Sequence, residues 1–584
     1  MNKATFNLFC ALIAGLIMTT LAMILHHPFA NATAYGLITA IFTFALLLPV
    51  VSARLKHICC DLDWAEEIAN TYHNIPAVYR KSFWILFALI NLAFLFHTIN
   101  FMWGGNDWAA IRTAVSPTEG LPDGRFSAFW LQKLLFNGKI LPVANNLWAF
   151  LGLSLAGVLL AIYWNFPQKI TPIVLSGLLL STTPYTLIWL YSAKNTLGAL
   201  WLPALALLTL VLAELKFMSH NLNCAKNLTS VVTGLLVIGS YPPVINFIAV
   251  AIVGKVFLLT TYADISLKDA FLRVRQSLVN ITSAIMVYLL ILSLLNENGV
   301  LANSLSISDT LSAFWANITF TCKSIIDQFA FSFPFIDITY QLLFLALIIS
   351  AIFTVIFKAP NTKASLRGLA LIPLILIAGK LTLFFTTNKA DAIEYAAHIS
   401  FYNLPLTYAL MFITLIKLGG NATRRFAYIL TTLLIFMSFV RVAYAQKVWK
   451  FGWDAETKLA ERIITRLEKM PEFDINRQYK LLQIGEMSLR SKYYLKKPYE
   501  KANNNLLQHS YYPSGNAKEA YNFFYQTDFL SADAGKEALN EPAIREYIKH
   551  QARPYPAKEG LWIYNNYIIL ILNQNALTAL QSTL

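Results

Sequence analysis

Charge is what this sequence has least of. Asp, Glu, Lys and Arg make up 13% of its 584 residues, against 57% hydrophobic. The apolar runs left between them are too long for ordinary core helices, since a hydrocarbon core of about 30 Å takes roughly 20 apolar residues per helix. Cysteine is nearly absent as well. The five that exist, Cys10, Cys59, Cys60, Cys224 and Cys322, are scattered, so they set out no disulfide framework, and no His/Cys cluster has metal-ligand spacing. There is no P-loop, dinucleotide fingerprint or nucleophile elbow, which removes the usual sequence grounds for those chemistries.

What is present is a series of membrane spans. A window of 20 residues gives about thirteen, near 6–25, 34–53, 82–103, 146–164, 172–190, 198–215, 228–241, 243–261, 279–296, 336–357, 368–386, 399–416 and 427–446. The seventh is short and joins the eighth through Tyr241-Pro242-Pro243, as in a broken or re-entrant hairpin. The first resembles a signal peptide followed by Ala30-Asn31-Ala32, but its apolar stretch is longer than a usual h-region, which favours a retained helix. With the N-terminus in the cytoplasm, roughly 17 Lys and Arg fall in inner loops and about 7 in outer ones. The net charge of +15 is therefore a topology signal with some attraction to anionic lipid. Nucleic acid is a poor partner, because the cations are spread along loops and not clustered with aromatics.

The expected fold is an all-α polytopic membrane protein of about 11–13 spans, residues 1–446, followed by a small extracytoplasmic α/β domain, 447–584. An amphipathic helix is predicted over Asp454 to Lys469, a strand over Tyr479 to Gly485 and a second strand over Leu561 to Leu572 around Asn565-Asn566. Ile265, Ala270, Phe271, Val274 and Leu278 define a helix lying on the inner membrane surface. Two outer loops are large, about 104–145 and about 297–335.

The first outer loop carries the chemistry. Asp107 closely follows the third span, where a lipid phosphate would lie, with Trp103 and Trp108 on either side. Arg112 is five residues on, and Arg125 follows the turn at Pro122. A sugar transfer outside the cytoplasm needs a lipid-phosphate donor, a carboxylate to take or orient the acceptor proton, and cations for the departing phosphate. The plain alternative is an exposed Asp107–Arg112 ion pair of little weight. Glu394 and His398 share a helical face before the twelfth span, as a second acid, a metal-binding pair or a solvated helix end. Lys380 reads as snorkelling to the interface and Glu214, beside Lys216, as interfacial.

The run Asn106-Asp107-Trp108-Ala109-Ala110-Ile111-Arg112, then Gly124-Arg125-Phe126, Leu141-Pro142, Gly239-Ser240-Tyr241, the tail helix from Asp454 and the strand Ile563 to Leu572 together resemble the bacterial and phage O-antigen-modifying glucosyltransferases of the C-type glycosyltransferase superfamily (GT-C). The resemblance implies inverting transfer of a sugar, often glucose, from a polyprenyl-phosphate donor to a lipid-linked or surface polysaccharide at the outer face of a bacterial inner membrane. It implies Asp107 as base or orienting group, with Asn106, Arg112, Arg125, Lys194 and Tyr241 as substrate contacts. The implied partners are the polyprenyl-phosphate sugar, the polysaccharide acceptor and the bilayer, with a donor flippase and a donor-synthesising transferase as companions. No cofactor is fixed, and a divalent metal stays open. Relatives commonly have two adjacent acids where this chain has Asn106-Asp107, an aromatic–acid pattern where it has Tyr191-Ser192-Ala193-Lys194-Asn195, and Gln where it has Pro242. A polysaccharide polymerase or ligase and a lipid-linked-sugar flippase are the competing expectations.

Overall fold

In the computed structural model the described residues are 75–102, 107, 114–190, 192–215, 220–300, 315, 317–325, 338–385, 389–485, 521–522, 525, 527–530 and 536–584; for 220–222, 385, 389–400, 448, 451–452 and 455–456 only the backbone is described. The first two expected spans and most of the second outer loop lie outside them. Helices α1 (Ala77–Ile99), α2 (Trp130–Phe136), α3 (Pro142–Tyr163), α4 (Ile170–Ser181), α5 (Leu187–Leu190), α6 (Ala193–Glu214) and α7 (His220–Ser240) come first. Then follow α8 (Ile245–Thr261), α9 (Leu267–Glu297), α10 (Ile338–Lys358), α11 (Thr362–Ala378), α12 (Lys389–Leu418) and α13 (Asn421–Glu468). Eight helices among the described residues are long and apolar enough to cross a membrane, or nine if the bent pair formed by α4 and Pro184–Leu190 is one span.

Three differences from the sequence reading concern continuity. The surface helix expected near 265–278 and the ninth span are one 31-residue helix, α9, whose start is capped by Ser266 accepting the Asp269 N–H at 3.1 Å. The last span and the tail helix expected from Asp454 are also one helix, the 48 residues of α13, roughly 72 Å long at 1.5 Å per residue. In both, a change from apolar to charged composition marks a change of surroundings and not of backbone. α7 spans 21 residues because its polar first turns, missed by an apolar window, are helical too.

The bundle packs α6 along α3 and α7, α1 along α3 and α4, and α8 along α11 and α12. Leu86, Ile90, Ala93 and Phe94 form the apolar middle of the buried face of α1, with Ser82 before them and His97 and Thr98 after. Between α3 and α4 the backbones come close at Gly157 and Gly177, where an added Cβ would meet Leu86 Cδ1 at 2.8 and 2.7 Å. That is the use of small residues expected between membrane helices.

The ends of the helices fall into two sets of contacts. At the end rich in basic residues, Lys226 Nζ donates to the Ala213 carbonyl at 3.0 Å, Lys417 Nζ to the Trp164 carbonyl at 2.9 Å and Arg424 Nε to the Ile416 carbonyl at 2.9 Å. Each cation meets the carbonyl end of a helix, where the macrodipole favours it. At the opposite end the chain of 114–140 rests on α7, with Ser127 N donating to the Gly239 carbonyl at 3.1 Å and Ser127 Oγ to the Leu236 carbonyl at 2.7 Å.

The tail forms a three-stranded sheet, β1 (Lys480–Ile484), β2 (Leu561–Tyr564) and β3 (Tyr567–Ile571), in the order β1-β3-β2. The single strand expected over 561–572 is a hairpin: β2 and β3 pair antiparallel across Asn565-Asn566, with Asn565 at φ 52°. β1 pairs parallel to β3. Leu481, Leu561, Ile563, Ile568 and Leu570 pack with Leu459, Ile463 and Leu467 of α13. The other face, with Leu482, Ile484, Ile569 and Ile571, is covered by α14 (Pro542–His550) and α15 (Gln574–Gln581) through Ile544, Ile548 and Leu577. A sheet buried on both faces explains why all five residues of β3 are apolar and buried. Met102, just after α1, and Trp449 and Trp453 of α13 belong to the first of these cores, which ties the tail to the bundle.

Candidate functional site around Asp107

Asp107 is fully buried, and its carboxylate sits on the start of α6. Oδ2 accepts the Ala193 N–H at 2.9 Å and Oδ1 the Lys194 N–H at 3.1 Å. The first amides of a helix lack intrahelical partners and carry the positive end of its dipole, so this acid from a different segment, 86 residues away, supplies what no local cap does. Asn145 Nδ2 reaches the Ala193 carbonyl at 3.3 Å, and Gln132 Nε2 holds the Asn145 Oδ1 at 3.1 Å. The loop, α2, α3 and α6 therefore converge on one helix start. Sequence spacing gave no sign of Gln132 or Asn145.

The side chain of Lys194 pairs with Glu119 and lies 5.6 Å from the Phe129 ring centroid. Arg125 pairs with Asp123 across Gly124, which sits at φ +70° after the turn Leu121–Asp123. A Cβ at Gly124 would meet Leu292 Cδ2 at 2.7 Å, and the φ itself favours glycine. Phe126 packs in a cluster with Leu235, Ile238, Ile291 and Leu292. Each of these two basic residues thus has an acidic neighbour, Glu119 and Asp123, that sequence reading had not assigned to it.

Asn106 and Arg112 lie outside the described residues, as do the side chains of Glu394 and His398, whose backbone belongs to α12. Tyr241 is buried, edge-on to Trp189 at 5.1 Å and 5.7 Å from Tyr402, in an aromatic group the sequence left unassigned. One expectation is corrected. Lys380 is 1% exposed and enclosed by protein, so it does not snorkel. Glu214, at the end of α6, pairs with the buried Lys255 and accepts from Ser277 Oγ at 3.3 Å. Among the described residues no three His, Cys, Asp or Glu come together as a metal site.

Comparison of the chain with protein-family models, with curated proteins and with solved structures finds no match.

Proposed function

We propose that the protein is a polytopic membrane glycosyltransferase of GT-C type, moving a sugar from a polyprenyl-phosphate donor to a lipid-linked or surface polysaccharide. The observation that carries this reading is the seat of Asp107. A buried carboxylate is aimed by two backbone amides, beside Lys194 of α6 and a loop bearing Arg125, at the end of the bundle opposite the basic helix termini. In the reaction an acceptor hydroxyl oxygen attacks the anomeric carbon as the carbon–oxygen bond to phosphate breaks. The polyprenyl phosphate leaves with that electron pair, and the hydroxyl proton passes to Asp107 or is oriented by it. Attack opposite the leaving group inverts the anomeric centre. The site then faces the periplasmic side of a bacterial inner membrane, where the donor is lipid-borne.

The test is transfer of labelled sugar to envelope polysaccharide by Asp107→Asn protein at matched membrane levels. A loss of about a hundredfold or more is expected for a group acting on the proton. Full transfer would end the assignment.

One observation favours a second reading, a lipid-linked-sugar flippase. The Glu214–Lys255 pair is largely buried among α3, α6, α8 and α9, with Lys255 Nζ 4.2 Å from the Tyr163 ring centroid. Buried intramembrane pairs mark transport pathways in other membrane proteins. Reconstituted liposomes that move labelled carrier lipid between leaflets without transferring sugar would select this reading over the first.

A further inference from the structure

The carboxylate of Asp107 ends a chain of hydrogen bonds that starts in α2. Ala193 and Lys194 share one peptide group, whose carbonyl belongs to Ala193 and whose N–H belongs to Lys194. That N–H donates to Asp107 Oδ1 at 3.1 Å, while the carbonyl accepts from Asn145 Nδ2 at 3.3 Å. A hydrogen bond into a carbonyl polarises the peptide and strengthens its N–H as a donor. Asn145 therefore acts on Asp107 through a single peptide unit.

The amide of Asn145 is itself fixed. Its Nδ2 also donates to Gln132 Oε1 at 3.3 Å, and Gln132 Nε2 donates back to Asn145 Oδ1 at 3.1 Å. The side chains thus close a ring of reciprocal bonds, and each amide has one N–H left. That of Asn145 goes to the Ala193 carbonyl and that of Gln132 to the Lys139 carbonyl, at 2.5 Å. Turning either amide over would set oxygen against oxygen and donor against donor. Gln132 is 2% exposed and Asn145 1%, and a buried polar network that is satisfied throughout holds one geometry. Its far end is anchored too, since Gly138, in the turn after α2, donates to the Gln132 carbonyl at 3.1 Å. The next residue of α3, the buried Asn146, donates to Thr98 Oγ1 at 3.4 Å. Thr98 lies at the end of α1, from which the chain runs on to Asp107. α3 therefore holds both the end of α1 and the start of α6, between which Asp107 sits.

We propose that Asn145 and Gln132 are positioning residues for Asp107. They hold the 193–194 peptide as the donor that orients the carboxylate toward the acceptor hydroxyl. This deepens the glycosyltransferase reading and rests on it for the reaction, whereas the hold on the carboxylate does not depend on sugar transfer. An apolar side chain at 145 would leave the 193–194 peptide free to turn, and the carboxylate with it.

The test joins kinetics to carboxylate labelling on the full-length protein in nanodiscs. With a polyprenyl-phosphate sugar as donor, Asn145→Leu is expected to lower kcat about tenfold. KM for the donor should stay within about twofold, because the lost bond serves the carboxylate and not the donor. Carbodiimide with a glycine ester, read by mass spectrometry, should modify Asp107 roughly fivefold faster or more in that variant, with Asp123 within about twofold of the wild type. Asn145→Leu also strands Gln132, so the variant carrying both Gln132→Leu and Asn145→Leu separates folding from positioning. Removing both amides should restore most of the melting temperature and leave kcat as low as in Asn145→Leu; it also serves where the single variant fails to fold. Adding Asn145→Leu to Asp107→Asn should change the residual transfer by less than about twofold, since no carboxylate is left to position. Unchanged labelling of Asp107, or equal acceleration at Asp123, overturns the proposal. So does recovery of kcat along with melting temperature in the double amide variant, or a further loss of about tenfold on top of Asp107→Asn. If the wild type transfers no sugar, the transferase reading alone falls, and the labelling of Asp107 still decides this one.

Discussion

Replacing Asp107 by alanine takes the acceptor from two amides at once. Ala193 N and Lys194 N donate to it at 2.9 and 3.1 Å, and the acid is fully buried. A single side-chain cap at a helix start is worth about 0.5–2 kcal/mol, and a hydrogen bond to a charged partner about 1.5–3 kcal/mol. The two bonds share one carboxylate and are not additive, so the expected cost is about 3 kcal/mol. Asparagine keeps one acceptor oxygen and turns an amide donor toward the second N–H, for which about half that cost is expected. The assay is hydrogen–deuterium exchange of peptides covering 190–200, with heat denaturation of the purified protein alongside. A loss of 3 kcal/mol corresponds to a more than hundredfold loss of protection where exchange follows local opening. It should be confined to the start of α6 and the loop that docks on it. Unchanged exchange at 190–200 in Asp107→Ala protein would refute the capping role, and with it the view that α6 aims this carboxylate. The comparison also separates structure from chemistry: Asp107→Asn should keep part of the protection of Asp107→Ala's missing contacts, yet lose transfer as fully.

Gln446 links α13 to α1 by accepting the His97 N–H at 2.8 Å and donating to the Ala93 carbonyl at 3.1 Å, groups that pair with each other in a regular helix. Gln446→Leu is expected to cost about 1–2 kcal/mol, read as a lower melting temperature; no change would show that α1 closes its own ladder without loss. Breaking the buried Glu214–Lys255 pair with Lys255→Met is expected to cost about 3–5 kcal/mol, whereas Lys255→Met with Glu214→Leu should recover most of it. A double variant no more stable than the single one would contradict that assignment. A Cβ at Gly239 would meet the Phe126 ring at 2.4–2.8 Å, so Gly239→Val should drive Phe126 from its site and expose the 114–140 segment to protease; an unchanged cleavage pattern would show that the segment docks by other contacts.

The long apolar helices were legible because a 20-residue apolar run has few other uses, and the structure adds little to 82–103, 146–164 or 336–357 beyond shifted ends. What composition could not show was continuity. The charged starts of α7 and α9 and the charged end of α13 look like separate pieces, because a sequence window registers a change of solvent and a helix does not. The strand pair in the tail was read as one strand because both halves are apolar throughout, and only the left-handed Asn565 reveals the turn. Around the site, Asp107 stood out as an acid after a span. Its partners could not be read from the sequence, since Ala193 and Lys194 are 86 and 87 residues away and contribute backbone amides, which every residue has. Lys380 was misjudged for a related reason: a lysine near the end of an apolar run snorkels or is enclosed according to its neighbours in space, and here it is 1% exposed.

One electrostatic rule connects these observations. Helices that run toward the basic end of the bundle present carbonyls there, and Lys226, Lys417 and Arg424 meet them. α6, running the same way, presents its amides at the opposite end, and Asp107 meets those. The asymmetry of basic residues that sets orientation in a bilayer therefore also occupies cations in capping, and a cation near a helix end is weak support for a phosphate site until its helix-end duties are known. Lys194 and Arg125 are likewise occupied, each by an acid, and would have to exchange that acid for a substrate phosphate.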